Sequence, residues 1–387
     1  MGQLQDRHSD RFIEYEKRML EHSGLPYEAF KIEDIKIDLE TPQNQEGEAQ
    51  VQNSQSIRTI QVGDPSNQKV VLVHGFGGSG AMFWRIIKPL SEHFHVIMPD
   101  ILGQGASSRP DVAHLGDNMM ADQYLAGWME TWRIKMELTN FILIGHSFGG
   151  YQCGVYASHY PEHIKLLVLM SPLGLPEKPD DWNIDQEIES FPADRRLPKP
   201  AYKMAKHLWK LNMSPYKFLR CCGPLTDFLL WLFVRKRLKD AQLPDQQLTD
   251  YKVYLKETLP RPASTEMILY KCFDTDMFAL VPLSSSERLM KLQVPIHFIF
   301  GSIDWMRQGG ASKVIEANPK RELCGYHIVE GADHHMYWDQ PERTQELLIR
   351  ILKPPVEVVA LNYIDQVEEV TGAENVKLLL EPQRVNI

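Results

Sequence analysis

Uninterrupted or nearly uninterrupted apolar runs recur along the chain: Val70-Val71-Leu72-Val73, Val96-Ile97-Met98, Phe141 to Ile144, Leu166 to Met170, then Ile296 to Phe300 and Tyr326 to Val329. Runs without polar alternation suit strands covered on both faces, and helical patterns separate most of them. That rhythm predicts an α/β class with a mostly parallel central sheet and helices on both faces. Two earlier stretches alternate instead. Ile32 to Leu39 and Ile57 to Val62 read as antiparallel strands either side of a polar connector, Glu40 to Ser56. Residues 1 to 30 look helical and amphipathic, with Phe12, Tyr15, Met19 and Leu20 on one side. Between Ser171 and roughly Ser284 the strands stop, and Pro-rich turns and aromatic-rich helical segments take over before the sheet resumes. The expected organisation is an N-terminal arm, strand and connector (1–54), a first core part (55–175), a helical cap insertion (176–284), a second core part (285–353) and a tail (354–387) without an interpretable motif.

Length and composition fit one large domain with an insertion: 387 residues, 43% hydrophobic, formal net charge −9. Five cysteines, an odd number without C-x-x-C or Cys/His ligand spacing, point away from a disulfide framework and from a zinc site. A reducing, cytoplasmic setting follows. The start, Met1 to His8, is polar, and no apolar stretch approaches the ~20 residues of a membrane span. Asp6 stands where a myristoylation motif wants Ser or Thr, so no acylation is expected at Gly2. Charge is distributed unevenly. From Arg195 to Lys239 twelve basic residues face one acid, Asp227, a local +11 in an acidic chain. Inside that segment Phe228-Leu229-Leu230-Trp231-Leu232-Phe233-Val234 runs straight into Arg235-Lys236-Arg237. Seven residues make only ~10 Å of helix, enough to enter a membrane interface and too little to cross it. Phe228, Trp231, Phe233, Arg235, Lys236 and Arg237 are therefore candidates for contact with an anionic membrane or lipid-droplet surface, or for a cover over a substrate pocket. The segment carries no nucleic-acid motif and the rest of the chain is acidic, which excludes nucleic acid as the expected partner.

The candidate chemistry sits where the apolar runs end. Gly145-His146-Ser147-Phe148-Gly149 closes the Phe141–Ile144 run and opens a small-residue helical stretch, the pattern of a nucleophile elbow that lifts a serine hydroxyl clear of a sheet. After Val73 comes His74-Gly75-Phe76-Gly77-Gly78, a glycine-rich loop; the N–H groups of Phe76 and Phe148 would bind a developing oxyanion. Asp100 to Ser108 follows another run and reads as structural. Gly301-Ser302-Ile303-Asp304 supplies an orienting carboxylate, and Gly331-Ala332-Asp333-His334-His335 supplies a base, with His334 expected over His335. Ser, Asp and His thus follow one another in the order that serine hydrolases on a parallel sheet use. A serine hydroxyl needs an imidazole to take its proton, and the imidazole needs a carboxylate to fix its tautomer. His334 and Asp339 also have the H-x-x-x-x-D spacing of a proposed acyltransferase signature, but Pro341 and Glu342 mark Asp339 as a helix start.

Taken together, the His74-Gly75 loop, Asp100-x-x-Gly103-x-Gly105, Gly145-x-Ser147-x-Gly149, Gly301-x-x-Asp304 and Gly331-Ala332-x-His334 resemble the α/β-hydrolase superfamily over residues 55 to 353. Ser171-Pro172-Leu173-Gly174, Ser214-Pro215, Leu219-Arg220, Gly223-Pro224 and His334 to Pro341 are similar to its subfamily of lysophospholipases, cardiolipin deacylase and a lipid-droplet lipase coactivator. The resemblance implies an α/β-hydrolase fold and deacylation of phospholipids or lysophospholipids through Ser147, His334 and Asp304, without metal or organic cofactor. With the basic, apolar cap segment, the expected setting is peripheral association with intracellular membranes or lipid droplets. Acyl transfer from acyl-CoA to a lysophospholipid is the alternative enzyme reading. A lipid-surface adaptor is the non-enzymatic one, and the coactivator branch departs from this chain in lacking the serine.

Overall fold

The computed structural model describes residues 8–39, 54–183, 199–238, 241–306 and 308–353. Most of the polar connector, the tail from 354, the start at Met1 and Gly2, and Arg195, Arg196 and Lys239 of the basic segment lie outside the described residues. Eight strands form one sheet: β1 (Lys31–Asp38), β2 (Ser54–Val62), β3 (Lys69–Val73), β4 (His95–Pro99), β5 (Phe141–His146), β6 (Ile164–Met170), β7 (Ile296–Gly301) and β8 (Gly325–Val329). Their spatial order is β1-β2-β4-β3-β5-β6-β7-β8, with β2 antiparallel to both β1 and β4 and every later pairing parallel. Alternating strands and continuous runs thus separate as the pattern predicts.

Consecutive residues of the continuous runs point to opposite sides, and both sides are dry. Val71, Val73 and Leu143 pack with Trp128 and Trp132 of α3 (Asn118–Lys135), where α1 is Asp10–Glu21 and α2 is Trp84–Ser91. Val70, Leu72 and Ile142 pack with Phe12 of α1 and Ile86 and Leu90 of α2 on the other side. Ser9 starts α1 by accepting the Phe12 N–H at 3.0 Å. The arm is then locked to the sheet by a buried pair, Glu16 with Arg58 of β2.

Helix α4 (Phe148–His159) follows β5, and between β6 and β7 come α5 (Lys199–Lys210), α6 (Pro215–Cys221), α7 (Thr226–Arg237) and α8 (Asp245–Thr258). After β7 follow α9 (Ala311–Ala317), α10 (Met336–Asp339) and α11 (Pro341–Leu352). No helix among the described residues is long and apolar enough to cross a membrane. All five cysteines are free thiols.

The elbow glycines have steric causes. A Cβ on Gly145 would lie 2.6 Å from the Gly149 oxygen, and one on Gly149 would lie 2.2 Å from the His74 oxygen. Gly145 therefore lets α4 fold back on its own strand, whereas Gly149 lets it pass beneath the end of β3. Gly127, inside α3, has nothing within 4 Å of the position its Cβ would take. Gly149→Ala should destabilise the protein by ~1–3 kcal/mol because the clash is with backbone, while Gly127→Ala should stabilise it by ~1 kcal/mol through helix propensity. Urea unfolding of both variants checks the opposite signs.

Candidate active site

Ser147 sits between β5 and α4 with φ +55° and ψ −118°, a conformation that costs energy for a residue with a Cβ. The turn is held from the next strand: Ser147 N–H donates to the Met170 oxygen at 3.0 Å, and Leu173 N–H returns to the Ser147 oxygen at 3.0 Å. From the loop after β8, His334 Nε2 lies 2.9 Å from Ser147 Oγ, and its Nδ1 lies 3.3 Å from Asp304 Oδ1, carried by the turn after β7. With Nδ1–H donating to the carboxylate, Nε2 is free to accept the serine proton. His335 is turned elsewhere: its ring stacks on Trp338 at 4.4 Å, and its Nε2 faces Arg237 at 3.5 Å.

Asp304 is buried, which disfavours its charge, yet the charge and hydrogen bond of His334, the Ser171 hydroxyl and the Met306 N–H together hold its carboxyl below the usual range. It is a carboxylate beside the base. Two other imidazoles are structural. Burial pushes His74 down to about 4, and its Nδ1–H donates to the Gly75 oxygen at 2.7 Å while Nε2 accepts the Ile101 N–H at 2.9 Å. Burial likewise holds His146 well below its ordinary value, and its Nε2–H donates to the His334 oxygen at 2.9 Å. Neutral rings therefore brace the glycine-rich loop and the backbone of the base.

That loop lies against the elbow. A Cβ on Gly75 would be 3.0 Å from the Ser147 Cβ. Gly77 N–H donates to Gln104 Oε1 at 2.8 Å and Gly78 N–H to the Gly75 oxygen at 3.0 Å, whereas among the described residues neither Phe76 N–H nor Phe148 N–H has a protein acceptor. Asp100 plays its expected structural part, accepting the Gly80 and Ala106 N–H groups at 2.6 and 2.7 Å. Aromatic rings wall the site: Tyr216 from α6 stacks on Phe76 at 4.5 Å, Phe148 meets Phe76 edge-on, and Trp305 lies 5.1 Å from His334.

One sequence expectation is corrected. Asp339 does not start a helix; it ends α10, and its Oδ2 accepts the Asp333 N–H at 3.0 Å, while Pro341 opens α11 behind Gln340. The His334–Asp339 spacing is thus not a His–carboxylate dyad, since His334 Nδ1 is given to Asp304. His146, His334 and His335 bring ligand nitrogens within 4.8 Å of one another, a set that could hold a metal ion only by drawing His334 away from Ser147. The cap candidates divide. Phe228, Trp231 and Phe233 of α7 are exposed, with Arg235 over the Trp231 ring and Lys236 exposed, but Arg237 turns inward to His335.

A model of the alpha/beta hydrolase fold family matches residues 69–341. The chain belongs to the α/β hydrolase family. It is 32% identical over 282 residues to a probable 1-acylglycerol-3-phosphate O-acyltransferase of Oryza sativa, covering 70% of this chain and 64% of that one, just under two thirds of the relative's length. It is 30% identical over 294 residues to the human (lyso)-N-acylphosphatidylethanolamine lipase, covering 75% and 81%. Among solved structures, carboxylesterase CesB of Bacillus subtilis shares the fold with a TM-score of 0.56 at 18% identity, over 88% of this chain and 97% of that one. This member of the family thus falls among lipid-named relatives, as the local motifs implied.

Sequence reasoning missed Ser171, His146 as a brace, Gln104 and Tyr216. Ser171 had a signal: it directly follows an apolar run, where the other site residues also stand. Its hydroxyl helps keep Asp304 charged, so it makes a pH prediction. A depressed folded pKa contributes stability above the unfolded value near 3.8, lost as pH falls through the folded value. Ser171→Ala should cost ~1–3 kcal/mol at pH 7, and the deficit should shrink only once pH falls below the unfolded value near 3.8, as Asp304 protonates. Urea unfolding at pH 7 and pH 3 checks it.

Proposed function

We propose that the protein is a serine esterase that deacylates phospholipids or lysophospholipids. The observation that carries this reading is the unbroken relay from Ser147 Oγ through His334 to Asp304. Ser147 attacks the ester carbonyl while His334 takes its proton, and Asp304 stabilises the imidazolium. The oxyanion of the tetrahedral intermediate accepts from the Phe76 and Phe148 N–H groups, whose lack of acceptors among the described residues supports that role. His334 then returns the proton to the departing alcohol oxygen. Water, activated by the same imidazole, attacks the acyl-enzyme and releases the fatty acid.

The acyl-lipid substrate class is supported by the names of the rice and human relatives. The rice name also favours a second reading, in which a lysophospholipid hydroxyl replaces water as acyl acceptor. In that case acyl-CoA would acylate Ser147 and free CoA would leave. A lipid-surface adaptor is the reading from another class, and the intact relay argues against it. Product analysis with acyl-CoA and lysophospholipid separates the first two, and labelling of Ser147 by a fluorophosphonate separates both from the third. Ser147→Ala should lower ester hydrolysis by about 10⁴ or more with folding intact; near-normal turnover by a folded variant removes the proposed nucleophile. His334→Ala should be nearly inactive, whereas His335→Ala should keep substantial turnover of a neutral ester.

Part of the cap presents a surface that suits a bilayer. Phe218, Leu225, Phe228, Trp231, Leu232 and Phe233 are all exposed on α6, α7 and the turn between them, beside Arg235 and Lys236. Inserting such side chains is worth ~1.5–3 kcal/mol each when fully buried, and each basic residue near an anionic surface adds ~1 kcal/mol. We infer peripheral attachment to anionic intracellular membranes or lipid droplets through this face. Replacing Trp231 and Phe233 with Ser should weaken binding to anionic liposomes about tenfold or more, and binding of the wild type should fall with salt. Hydrolysis of a short soluble ester should persist. Equal loss on soluble and bilayer substrates, with liposome binding unchanged, would instead make the segment a pocket cover.

A further inference from the structure

We propose that Arg237 recognises the phosphate of a phosphate-bearing acyl lipid bound at Ser147; the proposal rests on the esterase reading above. The three basic residues that close α7 part company. Arg235 lies over the Trp231 ring at 5.1 Å and Lys236 is exposed, but Arg237 is half-buried and turns from the membrane-suited face toward the base loop. Its Nη2 lies 3.5 Å from His335 Nε2, and its charge bears on His146, Tyr251 and Tyr337.

What surrounds this guanidinium sets it apart. Arg58, Arg133, Arg220 and Arg288 each pair with a carboxylate, and Arg85, Arg109 and Arg261 give their N–H groups to backbone carbonyls. Among the described residues Arg237 has neither: one long contact to the His335 ring nitrogen is its only hydrogen bond. A guanidinium carries five donors in a rigid fork, and withdrawing it from water without an acceptor costs free energy. The acceptor that matches the fork is a phosphate, which takes two parallel N–H···O bonds.

The location fits the substrate's shape. The His335 ring lies 5.2 Å from that of His334, centre to centre, and 4.8 Å from that of His146, so Arg237 is one ring removed from the relay. In a glycerophospholipid the ester carbonyl and the phosphate are separated only by the glycerol carbons. A lipid whose carbonyl faces Ser147 can therefore extend its phosphate past His335 to Arg237. Its acyl chain then lies toward the aromatic walls.

The test compares two monomeric substrates with the same short acyl chain, a lysophosphatidic acid and a monoacylglycerol, below their micellar concentrations, so that no membrane contributes. Arg237→Gln should lower kcat/KM for the phosphate-bearing ester by about tenfold to a hundredfold, chiefly through KM, and leave the neutral ester within about twofold. Arg237→Lys should recover part of the loss, because it keeps the charge without the fork. Equal loss on both esters makes Arg237 a structural residue, and no loss on either makes it a bystander; both outcomes overturn the proposal. Inorganic phosphate distinguishes the ligand's source: it should compete weakly, and competition as strong as the lipid's own binding would assign the site to free phosphate and overturn the lipid reading. If the wild type hydrolyses neither ester, the esterase reading fails separately. Calorimetry of the same lysophosphatidic acid with Ser147→Ala then decides the phosphate question, since binding should vanish when Arg237→Gln is added and its persistence would overturn the assignment.

Discussion

The parallel pairing of β5 with β6 is the constraint from which the site follows. Its register places His146 opposite Met170, so the next residues, Ser147 and Ser171, emerge side by side at the C-terminal ends of the two strands. Ser147 turns into an unfavourable conformation there and is held by the Met170 oxygen and the Leu173 N–H. Ser171 turns too, with φ +45°, and gives its N–H to Ile299 and its hydroxyl to Asp304. Nucleophile and carboxylate are thus indexed to one strand pair. A slip of one residue would send Ser147 to the other face.

Electrostatics complete what the register begins. Four histidines stand around Ser147, but burial keeps His74 and His146 neutral, so they act as fixed hydrogen-bond struts. His334 alone has a buried carboxylate on one nitrogen and the serine on the other. That asymmetry decides which imidazole can accept a proton and hold the resulting charge. His146 contributes indirectly, because its bond to the His334 oxygen fixes the backbone that aims the base.

Much of this was legible in the sequence because the relevant signals are local. Continuous runs gave the parallel strands, alternation gave β1 and β2, and residues just past strand ends gave Ser147, Asp304 and His334. The remainder depends on pairs distant in sequence. No periodicity announces that Glu16 will be buried against Arg58, or that Gly149 is needed by the end of β3 instead of by its own strand. The choice between His334 and His335 rests on Trp338, whose indole stacks on the second ring and removes it from the serine. Asp339 was misread because Pro341 does open a helix, yet a four-residue helix ends immediately before it.

The same reasoning explains α7, whose sequence is apolar on every side. Only Leu230 and Val234, four residues apart on one stripe, are buried with Thr226; Leu229 is half-buried, and Phe228, Trp231, Leu232 and Phe233 are exposed. A helix packed by one narrow stripe has no internal use for Phe228, Trp231, Leu232 and Phe233. Leaving them in water forgoes burial energy that a monomer surface would ordinarily recover with polar residues. The inner stripe anchors the helix, the outer face stays exposed, and Arg237 at its end turns toward the loop that carries His335. One short helix therefore carries both that exposed face and the contact to His335, while Tyr216, stacked on Phe76, ties the preceding helix to the glycine-rich loop.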